Sequence, residues 1–259
     1  MPASDLPLLL DAAEAAGAIA MRYWRKSPEA WDKGAGAGPV SEADLAVNDM
    51  LARELRAARP GYGWLSEETP DDPARLATAR QFILDPIDGT RAFLDGNDSF
   101  AHALAVAEAG QIVAAVVHLP AKGLTYAAVA GGAATLNGEV IRASDRVAAE
   151  GATVLAAKAA LMPDHWQGGQ VPGFQRMFRA SLAWRLCLVA EGQFDAMLTL
   201  RPTWEWDAAA GSLIAERAGA RVTDRRGRVL AFNAPDPRAD GLIAGAAGVQ
   251  ADLLGRLAG

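Results

Sequence analysis

Cysteine and histidine, the usual side chains of soft-metal and redox sites, are almost absent from this chain. Cys187 is the only cysteine among 259 residues. An internal disulfide is therefore impossible, and a zinc site built from several thiolates is excluded. The three histidines, His102, His118 and His165, lack the spacing of metal ligands. We expect them to pack in the core or to lie at the surface.

Excess positive charge and long apolar runs are also missing. The formal net charge is −6, so no basic stripe indicates a macromolecular nucleic acid as partner. The N-terminus lacks a basic region, and the apolar run Leu6–Leu10 is too short for a signal sequence or a membrane span. We therefore expect a cytoplasmic protein with no membrane partner. Hydrophobic residues make up 51% of the chain, which suffices for a large buried core.

The most informative stretch that is present is an acidic turn, Asp85–Phe93. It follows the apolar run Phe82–Leu84, which predicts a buried strand that breaks after Asp85, because a proline comes next. Gly89 permits backbone angles that other residues avoid, and Thr90–Phe93 predicts the first turn of a helix with unpaired N–H groups. Carboxylates for cations beside donors for an anion suit metal-assisted phosphate chemistry. A plain surface turn is the alternative, since Asp, Pro and Gly favour turns anyway.

Hydrophobic periodicity predicts a mixed α/β chain with no internal repeat. The predicted helices are Leu6–Arg25, one from Ser41 to about Ala58, Leu182–Glu191, one that opens within Arg201–Gly211 and ends near Ala218, and Val249–Leu257. The predicted strands include Ala103–Ala107, Ile112–Val117, Leu124–Ala130, Thr153–Ala156, Ala196–Leu200, Arg221–Thr223, Val229–Leu230 and Leu242–Ala244, with a tight hairpin at Asn137–Gly138. We expect an N-terminal part, residues 1–145, and a C-terminal part, residues 146–259.

A glycine-rich segment, Lys33–Pro39, shows no periodicity. It indicates either a flexible connector or a mobile lid that carries Lys33 towards a phosphate. Just after it, Ser41 and Asp44 resemble the capping signature of the second predicted helix, which places Asp44 on the first turn of that helix.

Two further acidic motifs lie at predicted strand or helix ends, in Ser66–Thr69 and Trp206–Gly211. Together with Asp85–Thr90 they match, in order, the Gly-Glu-Glu, Asp-Pro-Ile-Asp-Gly-Thr and Trp-Asp-x-Ala-Ala-Gly motifs of one family. From about Leu6 to its C-terminus, the chain resembles the inositol monophosphatase-like family of magnesium-dependent, lithium-sensitive phosphatases. This resemblance implies the layered α-β-α-β-α fold shared by inositol monophosphatases and fructose-1,6-bisphosphatases.

The resemblance also implies a magnesium site with two or three ions, which oxygen donors suit well. Glu67, Asp85 and the carbonyl of Ile87 would hold the first ion, whereas Asp85, Asp88 and Asp207 would hold the second. The implied ligand set is Glu67, Asp85, Ile87, Asp88 and Asp207.

The catalytic and phosphate-binding residues are implied by the same resemblance. Thr90, hydrogen-bonded to Asp44, would orient the attacking water, and Glu67 would assist. The backbone amides of Gly89 and Thr90 would bind the phosphate. Lys33 would correspond to the lysine of the family's mobile loop and would bind the substrate.

Two other interpretations of Asp85–Thr90 fail on spacing. Aspartyl-phosphate phosphatases of the haloacid type use Asp-x-Asp-Gly-Thr, whereas the two carboxylates here lie one residue further apart, so we expect water to attack. A calcium-binding EF loop needs oxygen ligands at alternate positions and a final Glu. Here the third, fifth and twelfth positions are Ile87, Gly89 and Gly96.

The substrate is less well defined by the sequence. Inositol-specific members usually carry an acidic residue seven positions before Asp207, where this chain has Leu200. Ser181–Gly192 and Pro202–Asp207 instead resemble the 3'(2'),5'-bisphosphate nucleotidases, which act on adenosine 3',5'-bisphosphate. Arg185 or Arg201 would then meet a second phosphate, a role that suits arginine. The further substrate contacts implied are Ser181 and Asp207, and Trp204 and Trp206 flank the site.

Several alternatives stay open at this point. Arg91–Phe93 and Ala101–Ala103 depart from the nucleotidase pattern, which leaves inositol phosphate, histidinol phosphate and other small esters as candidates. A solvated position on its helix is the other interpretation of Arg185. A non-catalytic metal-binding regulatory module is the alternative from a different class of protein. Relatives suggest a homodimer.

Overall fold

In the computed structural model, which describes residues 5–34 and 38–258, helices and sheets alternate in layers. The α-helices are α1 Leu6–Tyr23, α2 Glu42–Ala58, α3 Thr90–Leu94, α4 Leu182–Ala190, α5 Glu205–Arg217 and α6 Ala247–Arg256. The strands are β1 Ala30–Asp32, β2 Pro39–Ser41, β3 Gly63–Ser66, β4 Arg80–Asp88, β5 Ala101–Glu108, β6 Gln111–Leu119, β7 Leu124–Val129, β8 Thr135–Leu136, β9 Glu139–Val140, β10 Thr153–Ala156, β11 Gln175–Met177, β12 Ala196–Thr199, β13 Thr203–Trp204, β14 Arg221–Thr223, β15 Arg238–Ala239 and β16 Leu242–Gly245.

A seven-stranded sheet in the order β3-β4-β5-β6-β7-β8-β9 carries α1 and α2 on one face. Side chains alternate between the two faces of a strand. Phe82 and Leu84 of β4 therefore pack with Leu9 of α1 and Leu51 of α2, while Ile83 points to the opposite face. Only β3 and β4 pair in parallel, and the remaining pairs of this sheet are antiparallel.

The middle layer consists of α4 and α5, which pack between the two large sheets. On the side of the seven-stranded sheet their neighbours include many alanines, such as Ala103 and Ala105 of β5. On the other side, Met197 of β12 and Ala244 of β16 join the same core cluster. The proposed boundary after residue 145 lies between the strands of the seven-stranded sheet and those of the second large sheet. The hydrophobic core around α4 and α5, however, contains residues from both sheets.

The outer layers are a five-stranded sheet in the order β11-β10-β12-β16-β14 and the helix α6 behind it. Leu198 and Ile243 of this sheet pack with Val249 and Leu253 of α6. The order of layers is thus helices, sheet, helices, sheet, helix, which confirms the predicted α-β-α-β-α arrangement.

Most predicted elements are confirmed, with ends shifted by a few residues, but two predictions are wrong. β4 does not break after Asp85. It continues to Asp88 through a shift of register, where a proline without an N–H group is tolerated. Val229–Leu230 is not a strand, because the hydrogen bond from the N–H group of Asp224 to the carbonyl oxygen of Arg228 closes a turn, and among the described residues the segment beyond it forms no ladder with a strand.

The short hairpin of β1 and β2 was not predicted. It brackets the glycine-rich segment, and Asp32 pairs with Pro39 at its end. Residues 35–37 of that segment lie outside the described residues, so the choice between connector and lid stays a prediction.

Contact between α4 and α5 depends on a glycine, and this gives a first testable prediction. A Cβ atom at Gly211 of α5 would lie 2.6 Å from Cβ of Leu186 of α4. We expect Gly211→Ala to lower the free energy of unfolding by about 1–3 kcal/mol, because the helices must separate. The measurement is urea denaturation.

A matched control lies on α6. A Cβ atom at Gly255 would meet nothing within 4 Å. Gly255→Ala should therefore raise the free energy of unfolding by about 0.5–1 kcal/mol through helix propensity alone. Equal shifts of the same sign in both variants would contradict the close helix contact.

Candidate active site

The parallel pairing of β3 and β4 brings two carboxylates to the same edge of the sheet. Ser66 pairs with Leu84, so the residues that follow them, Glu67 and Asp85, lie side by side. The N–H group of Glu67 donates to the carbonyl oxygen of Leu84 at 3.2 Å. Both acidic motifs therefore meet because two apolar strands run in register.

The third carboxylate comes from the first turn of α5. Trp204 is the residue that caps this helix, and Asp207 follows within its first turn, where the helix dipole favours negative charge. Oxygen atoms of Glu67, Asp85 and Asp207 all lie within 4.8 Å of one another. These three residues are hereafter called the acidic group.

The acidic group is electrostatically poised for a cation. Asp85 is only 1% exposed, and its Oδ1 atom has no hydrogen-bond partner among the residues described. Burial and the nearby charges of Glu67, Asp88 and Asp207 raise the pKa of Asp85 well above its usual range. Burial, together with Asp88 and Glu67, does the same to the pKa of Asp207. An orphaned oxygen and mutual repulsion are both relieved by a hard cation such as Mg²⁺, which oxygen donors fit.

Asp88 and Ile87 line one cavity together with the acidic group. Asp88 also accepts hydrogen bonds from the start of α4. Its Oδ2 atom accepts hydrogen bonds from the Ser181 hydroxyl and from the N–H group of Ala183, both at 2.6 Å. Burial raises the pKa of Asp88, although these hydrogen bonds act in the opposite direction. Asp88 thus joins the end of β4 to the start of α4.

Ser181 does not face the cavity, contrary to the expected substrate contact. It is completely buried, and its hydroxyl accepts a hydrogen bond from the N–H group of Trp184 at 3.0 Å while it donates to Asp88. As the N-cap of α4, it positions Asp88 instead. The spacing Ser181–Trp184 is the capping pattern that would have indicated this role.

Thr90 and Asp44 form the pair that the family resemblance implies. The Thr90 hydroxyl lies 3.1 Å from Oδ1 of Asp44 and 3.2 Å from the carbonyl oxygen of Ile87. Oδ2 of Asp44 accepts hydrogen bonds from the backbone N–H group of Ser41, at 2.9 Å, and from its hydroxyl, at 2.5 Å. Burial raises the pKa of Asp44. The capping hydrogen bonds of α2 thus fix Asp44 beside Thr90. They occupy Oδ2 of Asp44 and leave Oδ1 for the Thr90 hydroxyl.

Gly89 allows the chain to turn from β4 into α3. Its φ angle is +100°, and an added Cβ atom would lie 3.0 Å from the carbonyl oxygen of Ser99. Only glycine fits such a turn without strain. Gly89 and Thr90, at the start of α3, line the cavity, and the first N–H groups of a helix have no partner within that helix.

Lys33 contacts the acidic motif that follows β3. Its ammonium group lies 2.6 Å from Oε1 of Glu67 and 2.9 Å from Oε1 of Glu68. Burial opposes the charge of Lys33, but the two ion pairs outweigh it and raise the pKa of Lys33 above its usual value. Burial and the charge of Glu67 raise the pKa of Glu68 to about 7. Sequence reasoning missed Glu68, although its position beside Glu67 could have indicated it.

The remaining walls of the cavity combine arginines and aromatic rings with aliphatic side chains. The cavity has a volume of about 1060 Å³. Arg185 is buried rather than solvated, and its guanidinium donates to the carbonyl oxygens of Arg179 and Ala180. The rings of Trp204 and Trp206 stack at 4.5 Å with an interplanar angle of 9°. Further residues that line this side are His165, Phe178, Thr199, Leu200 and Arg201.

Comparison with known proteins identifies the family. A family model described as the inositol monophosphatase family matches residues 4–258. The chain is 38% identical over 197 residues to an inositol-1-monophosphatase from Rhizobium meliloti (strain 1021), across 73% of each chain. It is 32% identical over 219 residues to a 3'(2'),5'-bisphosphate nucleotidase CysQ from Salmonella typhimurium, across 83% of this chain and 85% of that relative.

A solved structure has the same fold. The chain superimposes on a Thermotoga maritima IMPase with a TM-score of 0.82 and 26% identity, across 96% of this chain and 94% of that chain. Among the helices of residues 5–34 and 38–258, none is both long and apolar enough to cross a membrane. Members of the family are phosphatases that use Mg²⁺, and the acidic group could hold such an ion. The chain therefore belongs to the inositol monophosphatase family and is a hydrolase of phosphoric monoesters.

Proposed function

We propose that this enzyme hydrolyses a small phosphate monoester by the attack of water, with adenosine 3',5'-bisphosphate as the leading substrate. The acidic group, with Asp88 and the carbonyl of Ile87, would hold two or three Mg²⁺ ions. When bound, Mg²⁺ polarises the phosphoryl oxygens and lowers the pKa of water. The residues around it bind the ester, orient the water and exclude bulk solvent.

Thr90 and Asp44 are suited to orient the attacking water. Both neighbours of the Thr90 hydroxyl, the carboxylate of Asp44 and the carbonyl oxygen of Ile87, only accept, so the Thr90 proton is donated within this group and a lone pair of Thr90 is left for a proton of the water. Asp44 is completely buried, which keeps this arrangement free of competing solvent. The N–H groups at the start of α3, from Gly89 and Thr90, would bind the phosphate oxygens.

The substrate proposal depends on one observation, the unpaired cation Arg201 beside Arg185 in the cavity wall. Within the described residues, the side chain of Arg201 has no ion pair and no hydrogen bond. Burial lowers the pKa of Arg185; the nearby charges of Asp88 and Asp207 oppose this shift, whereas the charge of Arg201 adds to it. Two neighbouring arginines are stabilised by an anion between them, and arginine pairs well with phosphate. A substrate with a second phosphate supplies that anion.

The other walls support a nucleotide more than a polyol. Leu200 is buried and offers no acceptor to sugar hydroxyls. Trp204 is 40% exposed beside the cavity, and indole rings stack well on nucleobases. The identity to the Rhizobium meliloti inositol-1-monophosphatase favours inositol 1-phosphate as a second candidate. Histidinol phosphate is the third substrate for a kinetic comparison.

A comparison of paired substrates tests this proposal. The wild-type enzyme should hydrolyse adenosine 3',5'-bisphosphate with a higher kcat/KM than adenosine 3'-monophosphate, inositol 1-phosphate or histidinol phosphate. Arg201→Met should lower kcat/KM for the bisphosphate roughly 10- to 100-fold, the value of a charged hydrogen bond, and leave the monophosphate nearly unchanged.

Arg53→Met is the matched control, because Arg53 lies on the exposed side of α2, where it pairs with Glu54, and does not line the cavity. Its kinetics should equal those of the wild type for every substrate. An equal loss for the bisphosphate and the monophosphate in Arg201→Met would rule out a second phosphate at this position.

A further inference from the structure

His102 lies opposite the irregular part of β4 that carries the acidic turn. Asp85 pairs with Ala103 and Asp88 pairs with Ala101, so Pro86 and Ile87 together face His102 alone. This is a β-bulge, in which the extra residue loses its regular ladder partner. Pro86 is the residue between Asp85 and Ile87, both of which line the active-site cavity.

The side chain of His102 supplies the missing partner. Its Nδ1 atom forms a short hydrogen bond with the carbonyl oxygen of Pro86. Since a carbonyl oxygen only accepts, Nδ1 must carry the proton. His102 is completely buried, and burial lowers its pKa to about 4, so the ring is neutral near pH 7. Its Nε2 atom has no partner within residues 5–34 and 38–258.

The ring of His102 is held in place by its neighbours. It meets the ring of Phe100 edge-on, with centroids 6.3 Å apart, and stacks on His118 of β6 at 6.1 Å. A buried, packed ring cannot turn away from Pro86 without opening the core. The hydrogen bond therefore restrains the backbone of the acidic turn.

We propose that His102 is a positioning residue that fixes Pro86, and thereby aims the carboxylate of Asp85 and the carbonyl of Ile87 into the cavity together. His102 itself does not line the cavity, so it acts only through the backbone. The proposal rests on the proposed function, because it takes Asp85 and Ile87 as ligands. A histidine that merely fills the core would stabilise the fold without affecting ligand geometry.

Metal binding without turnover separates the two roles. Mn²⁺ serves as the probe for the Mg²⁺ site and is followed by electron paramagnetic resonance in the absence of substrate. His102→Leu removes the donor but keeps an apolar side chain, and should weaken Mn²⁺ binding about 10- to 100-fold, as loss of an outer-shell partner does. His102→Asn retains an N–H donor at the position of Nδ1, and should bind within about threefold of the wild type.

His118→Leu is the matched control, because His118 stacks on His102 but bonds to Thr125 and not to the acidic turn. It should bind Mn²⁺ like the wild type. Wild-type affinity in His102→Leu with lowered resistance to urea would overturn the proposal, since that pattern belongs to a core-filling histidine. If the wild-type protein itself bound no Mn²⁺, the proposed metal site would fail first, and the two failures are thus distinct.

A measurement on the unaltered protein covers the case in which His102→Leu does not fold. Long-range ¹H–¹⁵N spectra report which ring nitrogen carries the proton. The Nδ1–H tautomer of His102 is expected, with shifts that change when Mg²⁺ is added and without such a change at His118. An Nε2–H tautomer, or a His102 signal insensitive to Mg²⁺, would contradict the inference.

Discussion

Asp85→Asn is expected to abolish hydrolysis and, at the same time, to stabilise the metal-free protein. Asp85 is the buried member of the acidic group, and one of its oxygens has no partner in the described chain. The substitution removes a charge that a bound cation needs, so kcat/KM should fall by about 10³-fold or more. It also removes repulsion from Glu67, Asp88 and Asp207 when no metal is bound. The measurements are kinetics with Mg²⁺ and urea denaturation with a chelator.

The pH dependence of the free energy of unfolding shows why Asp85→Asn should stabilise the metal-free protein. A carboxyl group whose pKa is raised on folding contributes stability that is complete below its unfolded pKa, about 3.9, and is lost as the pH rises through the raised value. The pKa values of Asp85 and Asp207 are both raised. As the pH rises from about 4, these two groups should therefore contribute less and less to the stability of the metal-free wild type. In Asp85→Asn this loss should shrink, by about 1.4 kcal/mol for each unit by which the pKa of Asp85 is raised.

Asp49→Asn provides the comparison, because Asp49 is an exposed carboxylate of α2. Neither its activity nor its pH profile should differ from the wild type. Retention of near-normal turnover by Asp85→Asn would end the assignment of the acidic group as the metal site. A fall in metal-free stability would contradict the electrostatic argument even if activity were lost.

Thr90→Val is expected to lower kcat by about 10²- to 10⁴-fold, the range for the loss of a group that positions a proton. Valine has the shape of threonine without the hydroxyl, so it removes the hydrogen bond to Asp44 and the acceptor for the attacking water. KM should change little, because the phosphate is bound by backbone N–H groups that valine retains. The loss should therefore fall mainly on kcat.

Thr199→Val is the control for Thr90→Val. Thr199 is another buried threonine that lines the same cavity, and its hydroxyl has no partner in the described part of the chain. Its replacement should leave kcat within about threefold of the wild type. If both variants lost activity to a similar degree, the effect would come from cavity polarity and not from the Thr90–Asp44 pair.

The acidic group illustrates why part of the site could be predicted from sequence. Glu67 and Asp85 each follow an apolar run, and the ends of parallel strands in register meet at one edge. Asp207 stands in the first turn of a helix, where its position follows from local periodicity. The order and spacing of the motifs carry the resemblance to the family, and that resemblance implied the three carboxylates as ligands.

Other contacts depend on segments far apart in the chain. Ser181 hydrogen-bonds to Asp88 because folding brings the start of α4 to the acidic turn. Lys33 pairs with Glu67 and Glu68 because folding brings the β1–β2 hairpin to the end of β3. The residues next to Ser181 in the sequence do not indicate which carboxylate accepts its hydrogen bond. The predicted strand Val229–Leu230 was wrong for a similar reason, since among the described residues no strand pairs with this segment.

The sequence alone identified the family and most of the helices and strands, because motifs and hydrophobic periodicity are local features, and the resemblance to the family implied the carboxylates available for a cation. The tertiary structure decided which side chains line the cavity and which contact one another behind it. It turned Ser181 away, left Arg201 without a partner in the described chain, and set His102 behind the bulge at Pro86. Such choices depend on packing between layers, where burial and hydrogen bonding across long separations outweigh local preference.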